Sequence, residues 1–348
     1  MIATPPNRLH TIKMFCTVCA ALPLLDLTFE KRSPPKPRVL VLGFGWAGKA
    51  FVDNLDRHKY NVKVISATPQ RLNQQQMIEN LEPRWTKPFT DTPLHQETCR
   101  SIDPLAKTVY CTKAKCEYDY LVVATGAEPN TFNIPGAAEH TYKLKTAEDA
   151  TRLKTALTTT HDVNIVGSGP TGVELACKLR TDGKTVAITE AAPTILPGFS
   201  EQMRRRVIET LQSRGITLHL NTKITEVLPN PHRLTVWVAG VKPTPLVYTL
   251  TDNRPLLTDD RLQLQQQPQI YVMGDAVAGR GPPTAQNAKQ QGKFLADHFN
   301  RDFQMGDSYT YQEQGRILDM SDHLLVEYRG LMFSLPPQFR RLIYWVVD

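Results

Sequence analysis

Residues 38–55 read RVLVLGFGWAGKAFVDNL, an apolar strand that runs straight into three glycines and then into a helix. Gly43 permits the tight turn, Gly45 lets a pyrophosphate approach the backbone, and Gly48 lets helix and strand pack closely. The helix N-terminus then faces the phosphate charge. A lone G-x-G-x-x-G carries little weight. Here the next strand, NVKVIS at 61–66, ends at Ser66, where a group that bonds an adenosine ribose belongs.

The same grammar returns in DVNIVGSGPTGVELACKL at 162–179, with Gly167, Gly169 and Gly172 followed by a helix and then by the strand KTVAITE, which ends at Glu190. Gly43 to Ser66 and Gly167 to Glu190 are both 23 positions. Equal spacing in two complete copies points to an internal duplication of fold. Glu190 can accept hydrogen bonds from both ribose hydroxyls and would repel a 2′-phosphate, and no arginine follows it closely in AAPTILPG. The second copy is therefore expected to take NADH over NADPH.

Two more apolar strands end in small-residue turns: DYLVVATGAEPN around Thr125 and Gly126, and QIYVMGDAVAG around Gly274 and Asp275. A strand ending in Gly-Asp presents one carboxylate and one backbone amide to a polyol, which is what the ribityl chain of a flavin offers. Alone, either is an ordinary strand terminus. Beside two dinucleotide motifs, they point to FAD.

The rest of the composition narrows the setting. With 348 residues the chain exceeds what one compact core usually holds, so two domains are expected. Its 41 Lys and Arg against 34 Asp and Glu give a net charge of +7, scattered along the chain. That suits phosphate-bearing cofactors or an anionic membrane surface, and no nucleic-acid motif is present. Six cysteines in a chain this long do not make a disulfide scaffold, and a reducing compartment is the default. Cys16 and Cys19 form a C-x-x-C with no second pair to complete a zinc site, so no metal is expected. Cys111 and Cys116 share the C-x4-C spacing of flavin disulfide reductases, where the pair belongs on the helix after the first glycine motif. In this chain they lie in TVYCTKAKCEYDYLVVATG, which reads as a β-hairpin, so no dithiol catalysis is expected.

No run reaches the 18 or so apolar residues of a spanning helix, so membrane association would be peripheral. Residues 1–37 carry no acid before Asp26, have an apolar patch from Met14 to Leu27 and close with SPPKPR. They read as a leader, mitochondrial or otherwise, or as a disordered tail.

Taken together, these residues resemble the flavoproteins with two dinucleotide-binding domains, and among them the type II NADH:quinone dehydrogenases. The resemblance runs from about Arg38 to Arg301. It implies an α/β fold of two Rossmann-like domains, the second inserted in the first, plus a short C-terminal segment. By that resemblance residues 38–137 and 252–300 form the FAD-binding domain, 138–251 the NADH-binding domain and 301–348 the C-terminal segment. It is carried further by GFGWAG with KYNVKVIS, GAEPNTFNIPGAAEH, LKTAEDATRLK and WVAGVKPTPL, the last placing Gly240 at NADH.

The most specific piece is PPTAQNAKQQGKFLA at 282–296. It holds Ala285, Gln286, Ala288 and Gln290 in the pattern that, in the family, lies beneath the isoalloxazine where quinone head-groups dock. Helical spacing puts Gln286 and Gln290 on one face, so both amides could reach one ligand. A polar helix surface is the alternative, since Lys289 and Gln291 read as solvent-facing neighbours. The resemblance also places Glu174, in GPTGVE, near the nicotinamide and flavin, against the plainer reading of an exposed glutamate favoured by the helix dipole. Ser66 resembles the serine of the fungal-type branch. The stretch after it, ATPQRLNQQQMIENLEPRWTKPF, departs from the family's aromatic, proline-rich continuation, and the region from Ile224 to WVAG is short.

The C-terminal GRILDMSDHLLVEYRGLMFSLPPQFRRLIYWVVD resembles the family's membrane-docking end loosely. Phe339, Leu342, Ile343 and Val346 follow helical spacing beside Arg340 and Arg341. Such a helix could lie in a membrane interface, or bury against the FAD domain or a second subunit in a homodimer. The expected reaction is hydride transfer from NADH to FAD and on to a quinone, without proton pumping, on a membrane such as the mitochondrial inner membrane, with a cytoplasmic setting as the alternative. A soluble NADH-dependent flavin reductase and a non-catalytic FAD- and NAD-binding redox sensor are the rival readings.

Overall fold

The computed structural model describes residues 34–86, 94–251, 258–277, 279–304, 306 and 308–340. Residues 34–36 end a separate unit, Met1–Lys36, and have no regular secondary structure; everything below belongs to the compact unit Pro37–Asp348.

The first module opens with β1 (Arg38–Leu42), α1 (Trp46–Asn54) and β2 (Asn61–Ser66), followed by α2 (Gln74–Asn80) and β3 (Leu94–Gln96). A small antiparallel sheet of β4 (Cys99–Asp103), β5 (Thr108–Cys111) and β6 (Lys115–Glu117) precedes β7 (Tyr120–Val123) and β8 (Ala127–Pro129). Cys111 and Cys116 thus lie on a hairpin. The second module runs through α3 (Ala147–Ala156), β9 (Asp162–Val166), α4 (Pro170–Thr181), β10 (Thr185–Thr189), α5 (Glu201–Ser213), β11 (Thr217–His219) and β12 (Arg233–Trp237). The chain then passes β13 (Val241–Pro243) and α6 (Pro245–Tyr248). It re-enters the first module with β14 (Gln263–Leu264), β15 (Gln267–Val272) and α7 (Ala285–Asn300). A last antiparallel sheet follows: β16 (Arg316–Asp319), β17 (Leu324–Tyr328) and β18 (Leu331–Leu335).

Strand order in the first sheet is β14-β15-β7-β1-β2-β3, and in the second β11-β10-β9-β12. Apart from the short hairpin strand β14, every pairing in both sheets is parallel. β15 pairs with β7 only after the chain has completed the whole second sheet, Ile270 lying opposite Leu121. Both sheets are the doubly wound kind whose central strands are buried on two faces; β1 has only Arg38 exposed.

Helix α7 lies against α1, and the approach is close: a Cβ on Gly292 would stand 2.4 Å from the Ala47 carbonyl oxygen. Capping fixes where the helices begin. Thr146 and Asp149 form a capping box at α3, and the Ser200 and Thr284 hydroxyls accept from the amides of Met203 and Asn287 at α5 and α7.

The unfamiliar stretch after Ser66 folds into α2, whose Met77 and Ile78 join the core of the second module. No further hairpin fills the short region before β12; residues 220–232 hold no strand, and β12 pairs directly with β9. The C-terminal segment forms a sheet, with Leu318, Met320 and Leu325 buried in the second module's core. Leu342, Ile343 and Val346 lie outside the described residues. Phe339 closes a single 3-10 turn, Pro337–Phe339. Among the described residues no helix is long and apolar enough to cross a membrane.

Candidate nucleotide-binding sites

Each module's first strand and helix meet in a turn that only glycine can make. Gly43 has φ +92°, and a Cβ there would stand 2.3 Å from the Ala124 carbonyl oxygen. One on Gly48 would stand 2.2 Å from the carbonyl of Gly43. In the second module Gly167 has φ +107° and abuts Ala239, with 2.6 Å from an added Cβ to the Ala239 Cα, while Gly172 meets the Gly167 carbonyl at 2.1 Å. The middle glycines differ. Around Gly45 and Gly169 an added Cβ meets nothing within 4 Å. Both are N-caps without a side-chain cap, on helices with no acid in the first turn. Amides left uncapped beside open space are the arrangement that takes a pyrophosphate.

Glu190, just past β10, is held by three hydrogen bonds. One carboxylate oxygen accepts from the Ser168 backbone amide at 3.0 Å and its hydroxyl at 2.7 Å, and the other from the Ala192 amide at 2.9 Å. Burial pushes this carboxyl up, but the bonds from Ser168, Ala192 and Ala191 outweigh it and hold it below the usual range. Gly240 lies beyond β12 with φ +135°, and its carbonyl accepts from the Asn130 amide. The loop of Ala239 and Gly240 thus flanks Gly167. Ser66, at the equivalent strand end of the first module, has a lighter anchor: its hydroxyl accepts from the Thr68 amide at 3.4 Å.

The Gly274–Asp275 turn is wedged between helices. A Cβ on Gly274 would stand 3.0 Å from Ala47 Cβ of α1 and 3.8 Å from Ala288 Cβ of α7. Ala285 is the first residue of α7. Asp275 pairs with Lys145 at 3.7 Å, a lysine carried by the approach to α3. Thr125 shares a 2.8 Å hydrogen bond with Thr244, where the chain leaves the second module, and Gly126 beside it has φ +71° and open space.

Gln291 is fully buried, not solvent-facing as its polarity suggests. Its Oε1 accepts from the Gly274 amide at 2.6 Å, and its Nε2 donates to the Arg280 carbonyl and to Asn287 Oδ1. Asn287 in turn accepts from the Tyr309 hydroxyl. Gln286 and Gln290 share a face of α7, as their spacing suggests, and both turn to residues 311–314. Gln290 binds Gln312 twice, donating to its carbonyl at 2.7 Å and accepting from its amide at 2.9 Å; Gln286 Oε1 accepts from the Tyr311 hydroxyl and the Gln314 amide.

Glu174, on α4, is set against the C-terminal sheet rather than standing at the surface. Its Oε1 accepts from the Asp319 amide at 3.1 Å, and Arg340 pairs with the Asp319 carboxylate and with Glu79 of α2 at 3.2 Å. Burial, aided by the Asp319 charge and opposed by the Asp319 amide and Arg340, pushes Glu174 up to about 8. Ser168, Lys145, Thr244 and Gln291 are the contributors a motif search passes over. Ser168, between two motif glycines, carries a sequence signal, and so does Gln291, through the helical spacing it shares with buried Ala288 and Leu295.

The family model for pyridine nucleotide-disulphide oxidoreductases matches residues 37–292. The chain belongs to this family. Among curated relatives, it is 30% identical to the mitochondrial external alternative NAD(P)H-ubiquinone oxidoreductase B2 of Arabidopsis thaliana, over 69% of this chain and 54% of that one. It is 28% identical to the mitochondrial external NADH-ubiquinone oxidoreductase 2 of Saccharomyces cerevisiae, over 78% and 63%. The chain spans about half the length of the first of these. Among solved structures, NDH2 of Plasmodium falciparum in complex with NADH superposes with a TM-score of 0.77 at 18% identity, covering 90% of this chain and 95% of that one. The sulfide:quinone oxidoreductase of Aquifex aeolicus gives 0.72 at 19%, covering 89% and 91%. The fold is therefore that of the two-dinucleotide-domain oxidoreductases.

Proposed function

We propose that this chain is an FAD-dependent NADH:quinone oxidoreductase of the type II, non-pumping kind. The observation that carries the reading is the pair of uncapped, glycine-built helix N-termini, one of them flanked by a carboxylate already fixed for a ribose. Relatives named for NAD(P)H and ubiquinone support the choice of substrates.

In this reading residues 38–137 and 252–300 hold FAD and 138–251 hold NADH. The amides beyond Gly45 take the flavin pyrophosphate, with Gly43 and Gly48 shaping the turn. Ser66 bonds the adenosine ribose, and Thr125, Gly126, Gly274, Asp275 and Ala285 line the flavin's other end. The amides beyond Gly169, between Gly167 and Gly172, take the NADH pyrophosphate. Glu190 accepts from the ribose hydroxyls, and Gly240 lies beside the nicotinamide half. FAD, when bound, supplies the two-electron chemistry between hydride donor and quinone. Reducing a quinone to a quinol takes up one proton beyond the hydride, and Glu174, pushed to about 8, holds a proton at neutral pH. Gln286 and Gln290 belong to the quinone side, where they also bind residues 311–314.

A peripheral seat on a membrane that faces NADH, such as the mitochondrial inner membrane, belongs to the same proposal; the names of the relatives print a mitochondrial setting. So does pairing of two copies. Vesicle flotation and light scattering test these two parts.

The main test is an anaerobic absorbance spectrum of the purified protein, followed by stoichiometric NADH and then a short-chain ubiquinone. Flavin bands bleached by NADH and restored by quinone are expected. Bands that persist after NADH would favour a non-catalytic binder, and a preparation that neither contains nor takes up flavin would end the proposal.

A further inference from the structure

Three cysteines that play no part in the reading above meet on one face of the β4–β5–β6 sheet. Cys99 and Cys111 are paired across β4 and β5, at the outer side of a bulge that lies between Cys99 and Ser101. Cys116 lies opposite Val109, two residues before Cys111, so it is the diagonal neighbour of Cys111 on the same face. Lys63 donates to Cys116 Sγ at 3.2 Å. Cys116 is buried, while Cys99 and Cys111 keep part of their surface exposed.

The hydrogen bonds around the opposed pair decide its geometry. The Thr112 amide donates to the Thr98 carbonyl at 3.0 Å, one residue outside the pair on each strand. That pattern makes Cys99 and Cys111 a non-hydrogen-bonded antiparallel pair, the kind whose Cα atoms lie about 4.5 Å apart with side chains close together. Disulfides span Cα separations of roughly 4.4–6.8 Å. A diagonal pair such as Cys111 and Cys116 is wider, about 7–8 Å. The register therefore selects one partner.

We propose that Cys99 and Cys111 are a redox-sensitive dithiol that closes to a cross-strand disulfide when a small disulfide oxidant such as oxidised glutathione is supplied. Cys111 attacks one sulfur of the oxidant and releases its first thiol; Cys99 then attacks the Cys111 sulfur and releases the second. Two protein thiols lose two electrons and two protons, and one small disulfide becomes two thiols. Burial is the main force that pushes Cys99 up to about 12 and Cys111 up to about 11, so Cys111 ionises first and is the attacking thiol. The family's own dithiol position, on the helix after the first glycine motif, holds no cysteine in this chain, since α1 reads WAGKAFVDN. The pair packs against the core of the first module that holds Cys116 and Ile65, the neighbour of Ser66.

The test uses the folded full-length chain, treated with oxidised glutathione, alkylated, digested without reduction and mapped by mass spectrometry. A peptide pair joined through Cys99 and Cys111, two hydrogens lighter than the reduced peptides, is expected in the wild type and in Cys116→Ser. Two outcomes would overturn the proposal: Cys99 and Cys111 both alkylated after oxidation, or Cys111 joined to Cys116 or to any other cysteine. The mapping does not depend on NADH or quinone turnover, so its failure leaves the reading of the nucleotide sites untouched.

Discussion

Ser168 donates twice to one carboxylate oxygen of Glu190, through its backbone amide at 3.0 Å and its hydroxyl at 2.7 Å. The carboxylate is therefore oriented in advance, and in the proposed NADH site its negative charge would face a 2′-phosphate. Preference for NADH over NADPH follows. Glu190→Gln should cut kcat/KM for NADH about tenfold, the cost of a charge-assisted bond of about 1.4 kcal/mol, and should raise relative activity with NADPH. Ser168→Ala, which removes one of three bonds, should cost NADH a factor of about three to ten. Steady-state kinetics with both nucleotides checks this; an unchanged NADPH-to-NADH ratio in Glu190→Gln would remove Glu190 from the ribose.

The glycines of one motif should fail in different ways. Gly172 meets the Gly167 backbone, so Gly172→Val drives a side chain into a carbonyl that cannot withdraw, and the variant should lose several degrees of melting temperature or fail to fold. Gly169 has an ordinary φ of −67° and open space around it. Gly169→Val should keep the wild-type melting temperature and lose NADH affinity by about tenfold or more, as its methyls occupy the pyrophosphate approach. Calorimetry paired with NADH titration separates the two; equal loss of stability in both variants would refute the distinction.

Gln290 makes both its hydrogen bonds with the Gln312 backbone, a two-sided clasp between α7 and the segment leading to β16. Gln290→Ala should cost about 1–2 kcal/mol locally and speed hydrogen–deuterium exchange at the Gln312 amide. The NADH half-reaction, in which the Gln290 side chain takes no part, should keep its rate, while the KM for quinone rises as the clasp loosens. Unaltered exchange at Gln312 would show that the clasp holds nothing in place.

The parts of the fold that were legible in the sequence are those whose cause is local. Gly48 and Gly172 answer to the carbonyls of Gly43 and Gly167, five residues earlier, and Gly43 and Gly167 to a turn of positive φ, which is why spacing alone marks both strand-turn-helix units; the further approach of Gly43 to Ala124 and of Gly167 to Ala239 is remote and was not legible. Gln291 was misread because its cause is remote: its partner, the Gly274 amide, lies 17 residues away, and polarity by itself argued for solvent. Periodicity held the correction, since Gln291 shares a face of α7 with Ala288 and Leu295, both buried. The C-terminal sheet was hidden for a similar reason. Its inward residues Leu318, Met320 and Leu325 are sparse and interrupted by a turn, and the surface they cover, α4, is over a hundred residues earlier; the Glu174 bond to Asp319 spans 145 positions.

That long-range bond gives Glu174 a measurable pH signature. Its carboxyl rises from 4.5 in a free glutamate to about 8 in the fold, so the folded state binds a proton that the unfolded chain releases. For a group raised in this way the contribution to stability is fully present below the unfolded value and declines as pH rises through the folded one. Stability should therefore fall between pH 4.5 and about 8, by an amount on the order of a few kcal/mol when fully developed. Glu174→Gln cannot ionise and still offers an acceptor to the Asp319 amide, so it should flatten this slope while retaining the fold. Asp319→Asn removes a neighbouring negative charge that raises Glu174, but it also weakens the hold on Arg340, and its slope should lie between the other two. Urea melts across this pH range in wild type and both variants provide the comparison. If wild type and Glu174→Gln show the same pH slope, Glu174 is already ionised at neutral pH and cannot be the resident proton of this site.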